Sequence, residues 1–231
     1  MEFVLTNRII GLSLLILLGC SPVIEQNHDD ITLFKKLYAD LRVMNKSTEN
    51  VIDGKVTPVF IGGNLIQLSI VDMPLDSIPS SINMLRHLYE LTIFNCKLKD
   101  IKNIHNPIIT SLNISKNNFS NIPNLKKALP NLKYLDISDN LLEGRINITG
   151  LNDSISSISF AKNKIRVLTF KEPLENLTSA DFSYNELSEI DASICEKTAL
   201  KYINISNNPL KSKTRTTACG TVLITTKNYI D

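Results

Sequence analysis

The sequence predicts an α/β repeat solenoid, in which short stacked coils each contribute one strand to a parallel sheet. Seven segments between residues 65 and 210 share one spacing of apolar residues. The residues at the ninth position of successive segments are 23, 21, 23, 23, 22 and 23 positions apart, and five of these seven residues are asparagine. A fixed period of this length is typical of repeat architectures. Seven copies in register do not arise by chance, so the repeat defines the fold class.

The composition excludes several classes of function. The chain has 231 residues, of which 43% are hydrophobic and 21% charged, which is typical of a globular protein rather than a disordered one. A net charge of +2 does not predict a nucleic-acid partner. The sequence contains no phosphate-binding loop and no metal-ligand spacing, so we expect no cofactor, no metal and no catalytic site.

The first twenty residues are interpreted as an export signal. Residues 9–18 are almost wholly apolar and follow a single basic residue, Arg8. Ten apolar residues are too few for a membrane-spanning helix, which needs about 20. They fit the apolar region of a secretory signal peptide.

The end of this segment, Leu17, Leu18, Gly19 and Cys20, resembles the lipobox of bacterial lipoproteins. The resemblance implies that residues 1–19 are removed and that Cys20 is lipidated, which anchors the protein in the cell envelope. The resemblance also implies the outer membrane, because the residue after the cysteine, Ser21, is not acidic. Two alternatives remain open, namely a secreted protein without lipid and a retained apolar helix.

Residues 20–28 are interpreted as the lipidated cysteine and a flexible tether, and residues 29–64 as an N-terminal cap. Asp29 or Asp30 can cap a helix, and apolar residues follow it at spacings of three and four up to Met44. Residues 56–61 then predict a strand, which ends at a glycine pair. A solenoid exposes the apolar edge of its first coil unless a cap covers it, so we assign the helix to that role. Partner binding through the helix is the alternative.

The apolar positions define the core of each coil. Two apolar residues two positions apart, such as Leu135 and Ile137, lie on one face of a short strand and point inward. The chain then turns at the ninth position, where a buried backbone group without a partner costs about 1–3 kcal/mol. An asparagine carries both a donor and an acceptor for these groups. The predicted ladder consists of Cys96, Asn117, Asn140, Asn163, Asn185 and Asn208.

These segments resemble the leucine-rich repeat, whose pattern also allows cysteine at the ladder position, as at Cys96. The resemblance implies an open arc with a parallel concave sheet over residues 65–210. The convex segments are predicted to be short turns, 3₁₀ pieces or brief helices. Residues 211–231 form the predicted C-terminal cap, with a last strand over residues 222–226.

Two cysteines near the C-terminus occupy nearly equivalent convex positions. Cys195 lies ten residues after Asn185, and Cys219 lies eleven after Asn208. Equivalent Cα atoms of adjacent coils are roughly 5 Å apart, which suits a disulfide. The spacing predicts a bond between Cys195 and Cys219, and two free thiols are the alternative.

The outward strand positions form columns on the concave face. The first column consists of Gln67, Glu90, Ser111, Tyr134, Ser157, Ser179 and Tyr202. The second consists of Ser69, Thr92, Asn113, Asp136, Ser159, Asp181 and Asn204. A third column, which includes Ser115, Ser183 and Ser206, is also expected to point outward. Tyrosine offers a large contact area at low entropic cost. We therefore predict a ligand surface at Tyr134, Asp136, Asp181 and Tyr202, against the alternative of a merely solvated face.

The predicted function is a protein-protein interaction module at the bacterial envelope, anchored through Cys20 and monomeric. A structural spacer without a discrete ligand is the second hypothesis. An enzyme is disfavoured because only about twenty residues follow the repeats, too few for a catalytic domain.

Overall fold

The computed structural model describes residues 28–44, 55–191, 193–210 and 223–225. Within these ranges, residues 28, 29, 193, 195 and 223–225 are described by their backbone alone. The predicted signal peptide, Cys20, most of the tether and Cys219 lie outside the described residues. The described part of the chain contains no helix that is both long and apolar enough to cross a membrane.

The main sheet follows the repeat. Among the described residues, nine strands join in the order in which they follow along the chain, and all the pairs from the second strand onward are parallel. The predicted parallel sheet of a solenoid is thereby confirmed. Its strands are β1 (Lys55–Ile61), β2 (Asn64–Val71), β3 (Glu90–Phe94), β4 (Ser111–Asn113), β5 (Tyr134–Asp136), β7 (Ser157–Ser159), β9 (Ser179–Asp181), β10 (Tyr202–Asn204) and β11 (Leu223–Thr225).

An N-terminal helix and strand β1 precede the first repeat, and β1 forms a hairpin with the strand of that repeat. Helix α1 (His28–Met44) buries Phe34, Leu37 and Leu41, which lie on one face at spacings of three and four. Strand β1 pairs antiparallel with β2 through the turn at Gly62 and Gly63. Both glycines have positive φ, as this tight hairpin requires. The single feeding strand predicted from the sequence is therefore one arm of a hairpin.

A buried carboxylate fastens the helix to the repeats. Asp30 is 3% exposed, and its Oδ2 accepts the backbone N–H of Leu65 at 2.9 Å. The same oxygen lies 3.0 Å from Nδ1 of His87, which immediately precedes the second coil. Phe34 packs edge-on against Phe60 of β1, with the ring centroids 5.8 Å apart. The helix therefore covers the apolar end of the stack.

One continuous apolar core runs through the stack. It extends from Phe34 of the helix to Leu210 of the seventh repeat, and the inward strand residues of every coil belong to it. Leu135 and Ile137, for example, are 2% and 0% exposed. This core is the expected consequence of stacking coils that cannot bury an apolar face alone.

The convex side contains more regular structure than the sequence predicted. A 3₁₀ helix (Ser80–Met84) and the short helix α2 (Ser193–Lys197) fit the prediction. Coils four and five instead form a parallel strand pair from β6 (Glu143–Ile148) and β8 (Lys164–Phe170). In β6 the buried residues Ile146 and Ile148 alternate with exposed polar ones, which is the period of a half-buried strand.

The C-terminal end of the stack is closed by a further strand. Strand β11 pairs in parallel with β10 and lies within the segment from which a last strand was predicted. The predicted disulfide cannot be placed, because Cys219 lies outside the described residues and only the backbone of Cys195 is described, in helix α2.

Candidate interaction surface: the concave face and its two edges

The predicted ladder residues lie side by side along the turn edge, where each strand of the main sheet ends. Asn140 is representative. Its Nδ2 donates to the carbonyls of Ile114, Ile137 and Ser138, each at 3.0 Å. Its Oδ1 accepts the N–H of Phe119 at 3.0 Å. The amide therefore satisfies groups of its own turn and of the preceding coil.

The other ladder asparagines repeat this arrangement. In each, Nδ2 bonds two carbonyls of its own turn and one of the preceding coil, while Oδ1 accepts a backbone N–H of that coil. These residues are Asn117, Asn163, Asn185 and Asn208.

Cys96 occupies the ladder position of the second coil with a thiol. Its Sγ donates to the carbonyls of Phe94 at 3.3 Å and Ile70 at 3.5 Å. Burial is the main reason that its pKa rises from the usual 9.0 to about 11. Cys96 is thus a neutral structural thiol and a poor nucleophile at physiological pH.

A column of left-handed residues immediately precedes the ladder. Each coil has a non-glycine residue with φ between 54° and 57° at this position. The N–H groups of the first six bond the next coil, as in the bond from Lys116 to Ser138 at 2.9 Å. Asparagine and aspartate tolerate this conformation, whereas bulky side chains are strained there. The column consists of Asp72, Asn95, Lys116, Asp139, Lys162, Tyr184 and Asn207.

The two acids predicted to bind ligand have structural partners. Oδ1 of Asp136 accepts the N–H of Ser138 at 2.9 Å, and Oδ1 of Asp181 accepts that of Ser183 at 2.8 Å. Oδ2 of Asp181 also accepts a hydrogen bond from the side chain of Asn204 at 3.1 Å. Both carboxylates therefore stabilise the turn that ends their strand, and we centre the candidate surface elsewhere.

The third predicted column does not point outward throughout. Ser115, Ser183 and Ser206 are 5%, 4% and 7% exposed. Their strands contain only three residues, so the alternation of a strand ends before this position is reached. The expectation of an outward serine at these three positions is wrong.

The opposite, entry edge of the main sheet is organised mainly by backbone hydrogen bonds, to which a few hydroxyl groups add. The carbonyl of Tyr89 accepts the N–H groups of both Thr110 and Ser111, at 2.9 and 3.0 Å. The carbonyl of Thr110 accepts those of Lys133 and Tyr134, at 2.8 and 3.1 Å. The same double acceptance continues through the later coils. Side chains at this edge are therefore not needed to satisfy the backbone.

Large exposed side chains lie on the concave face and at its entry edge. Tyr134 is 53% exposed, which agrees with its predicted outward position, and Tyr202 is half-buried. Sequence reasoning missed Tyr89, at 45%, and Val59 and Ile61 of the hairpin, at 40% and 65%. Val59 pairs with Gln67, the first member of the first column, so β1 extends the concave face by one strand. The repeat pattern does not show that β1 pairs antiparallel with β2, and this pairing places Val59 beside the first column.

A shallow cleft of about 400 Å³ lies on the convex side. Its lining includes Asp100, Lys102, His105 and Lys127. Lys102 is paired with Asp100 at 3.0 Å, and this contact lowers the pKa of that carboxyl. Among the described residues, no group of acids, histidines and cysteines could hold a metal ion.

The sheet, the ladder and the repeat spacing together define a solenoid of stacked parallel coils. Comparison with known proteins finds a leucine-rich repeat in one part of this solenoid. The family model "Leucine Rich Repeat" matches residues 131–153, which contain β5 and Asn140. The chain is also similar to a solved structure of YopM from Yersinia enterocolitica WA-314, with 23% sequence identity and a TM-score of 0.49. The match covers 67% of this chain and 31% of that one, so the chain spans about a third of its length.

Proposed function

We propose that this protein is a non-enzymatic protein-binding module of the bacterial cell envelope, and that its partner binds on the concave face. The proposal is supported by the different use of side chains at the two edges of the sheet. The turn edge uses its polar side chains for structure, whereas Tyr134 stands exposed on the sheet without such a role. Tyrosine in such a position is a typical interface anchor.

The membrane anchor is a separate part of this proposal, and it rests on the lipobox-like sequence ending at Cys20. We expect cells supplied with an alkyne-tagged fatty acid to label the wild-type protein and not the variant Cys20→Ala. Label that persists on Cys20→Ala, or no label on the wild type, would leave the secreted form as the better description. Fractionation of the labelled cells then assigns the protein to the outer or the inner membrane.

Photo-crosslinking in cells tests the binding role. A photoreactive amino acid at Ser157, in the first concave column, should form adducts with a partner protein. The same amino acid at Arg145, exposed on convex strand β6, provides the matched control. Adducts from Arg145 alone would show that the concave face is the wrong surface. If the photoreactive amino acid forms no adduct at Ser157, Ser111 or Ser179, the structural spacer without a ligand is the better description.

A further inference from the structure

The main sheet ends at strand β1, beyond which the described residues place no further strand. An edge strand presents a row of unpaired backbone N–H and C=O groups, which can pair with a strand of another molecule. In β1 this tendency is increased by Val59 and Ile61, whose side chains are 40% and 65% exposed. The way in which this edge is kept from pairing therefore matters for the state of the protein in solution.

The hydrogen bonds between β2 and β3 fix the direction of the backbone groups in β2. At one end the carbonyl of Ile66 accepts the N–H of Tyr89 at 2.9 Å, and at the other the N–H of Asp72 donates to the carbonyl of Phe94 at 3.0 Å. Backbone groups along a strand point alternately to its two neighbours. The even-numbered residues of β2, Leu68 among them, therefore face β3 and not β1.

This direction determines which backbone groups lie at the outer edge of β1. Pro58 is paired with Leu68, and Val56 with Ile70. Since neither of these β2 residues faces β1, the backbone groups of Val56 and Pro58 point away from the sheet. Proline has no N–H, so the regular part of β1 offers an incoming strand the N–H of Val56 and no second donor. The register then shifts before the last two residues of β1, which interrupts the edge again.

We propose that Pro58 closes this edge of the sheet to strand addition and thereby keeps the protein from pairing with a second copy through β1. This role goes beyond partner binding on the concave face, which it leaves accessible. A proline in an edge strand is one of the ways in which natural sheets avoid such pairing. With a β-branched residue in its place, β1 would combine strong strand propensity, exposed apolar residues and a single charge, that of Lys55.

Sedimentation equilibrium of the variant Pro58→Val tests this role. The chain from residue 21 onward is used, because it contains the complete core from Phe34 to Leu210 and lacks the apolar segment 9–18. We expect its unaltered form to have the mass of one chain. Pro58→Val should self-associate as the concentration rises and approach about twice that mass, as a symmetric pair of edge strands requires. Urea unfolding verifies that the variant is folded, and Pro58→Thr replaces it if it is not.

Pro173→Val is the matched control, because Pro173 is exposed between β8 and β9 and lies outside both strands. It should keep the mass of one chain. Hydrogen–deuterium exchange locates the contact, since the backbone amides of residues 55–61 should exchange more slowly in Pro58→Val as its concentration rises.

A folded Pro58→Val variant that stays monomeric at every concentration would contradict the closed edge. Pairing of the unaltered chain through β1, or equal association of Pro173→Val, would contradict it as well. Association of Pro58→Val without slower exchange in residues 55–61 would show that the contact lies elsewhere and would overturn the role of Pro58.

Discussion

The two edges of the main sheet satisfy the backbone hydrogen-bonding groups of their turns in different ways. At the turn edge the chain leaves the strand inside the coil, and each ladder asparagine satisfies the buried backbone groups of two coils. At the entry edge one carbonyl accepts two N–H groups of the next coil, as Thr110 does for Lys133 and Tyr134. There the side chains make no essential contribution to the turn.

This difference shows which side chains on the concave face can vary without loss of stability. Asp136 lies on the concave face as Tyr134 does, but its carboxylate is committed to the turn edge. Tyr134 is closer to the entry edge and has no comparable commitment. A solenoid of this kind therefore presents variable side chains near the entry edge, and the exposed Tyr134 lies there.

The largest expected effect is at the ladder. Asn140→Ala should lower the free energy of unfolding by about 3 kcal/mol, because several buried backbone groups lose their partner. Urea denaturation followed by circular dichroism measures it. Asn131→Ala is the matched control near the entry edge, where an exposed side chain donates one hydrogen bond to Pro107. It should cost about 0.5 kcal/mol or less. Equal losses in the two variants would remove the distinction between the edges.

The second effect concerns thiol reactivity. Because burial raises the pKa of Cys96 from 9.0 to about 11, its thiolate fraction at about pH 8 falls roughly a hundredfold. We expect slow alkylation of Cys96 by iodoacetamide in the native protein and rapid alkylation in urea, both followed by peptide mass spectrometry. A cysteine introduced at the entry edge by Ser156→Cys should react rapidly without urea. Fast labelling of Cys96 in the native protein would show that the reagent reaches the thiols and amides buried at the turn edge.

The smallest effect is a gain in stability. Tyr184 has a φ of 54°, a conformation that a bulky side chain adopts at a cost and asparagine tolerates. Tyr184→Asn should therefore raise the free energy of unfolding by about 1 kcal/mol. Tyr134→Asn, in extended strand β5, should give no gain, since asparagine is disfavoured in strands. A loss of stability in Tyr184→Asn would mean that the tyrosine ring makes contacts that outweigh the strain.

Much of the turn edge could be predicted from the sequence, and much of the concave face could not. The ladder position is visible because its residue recurs with the period and its chemistry is nearly invariant. The left-handed column carries no such pattern, since lysine and tyrosine stand there beside asparagine and aspartate. The exposed residues Val59 and Ile61 were missed because their role depends on the antiparallel pairing of β1, which the repeat pattern does not contain.

The sequence by itself determined the repeat, the inward apolar residues and the ladder, because these follow from spacing within one coil. Only the tertiary structure decided which polar and aromatic side chains remain available to a partner. The reason is physical: whether a side chain is occupied depends partly on groups of the neighbouring coil, about twenty residues away. Asp181, for instance, accepts a hydrogen bond from Ser183 of its own turn and another from Asn204 of the next coil, and the second bond follows from no local pattern.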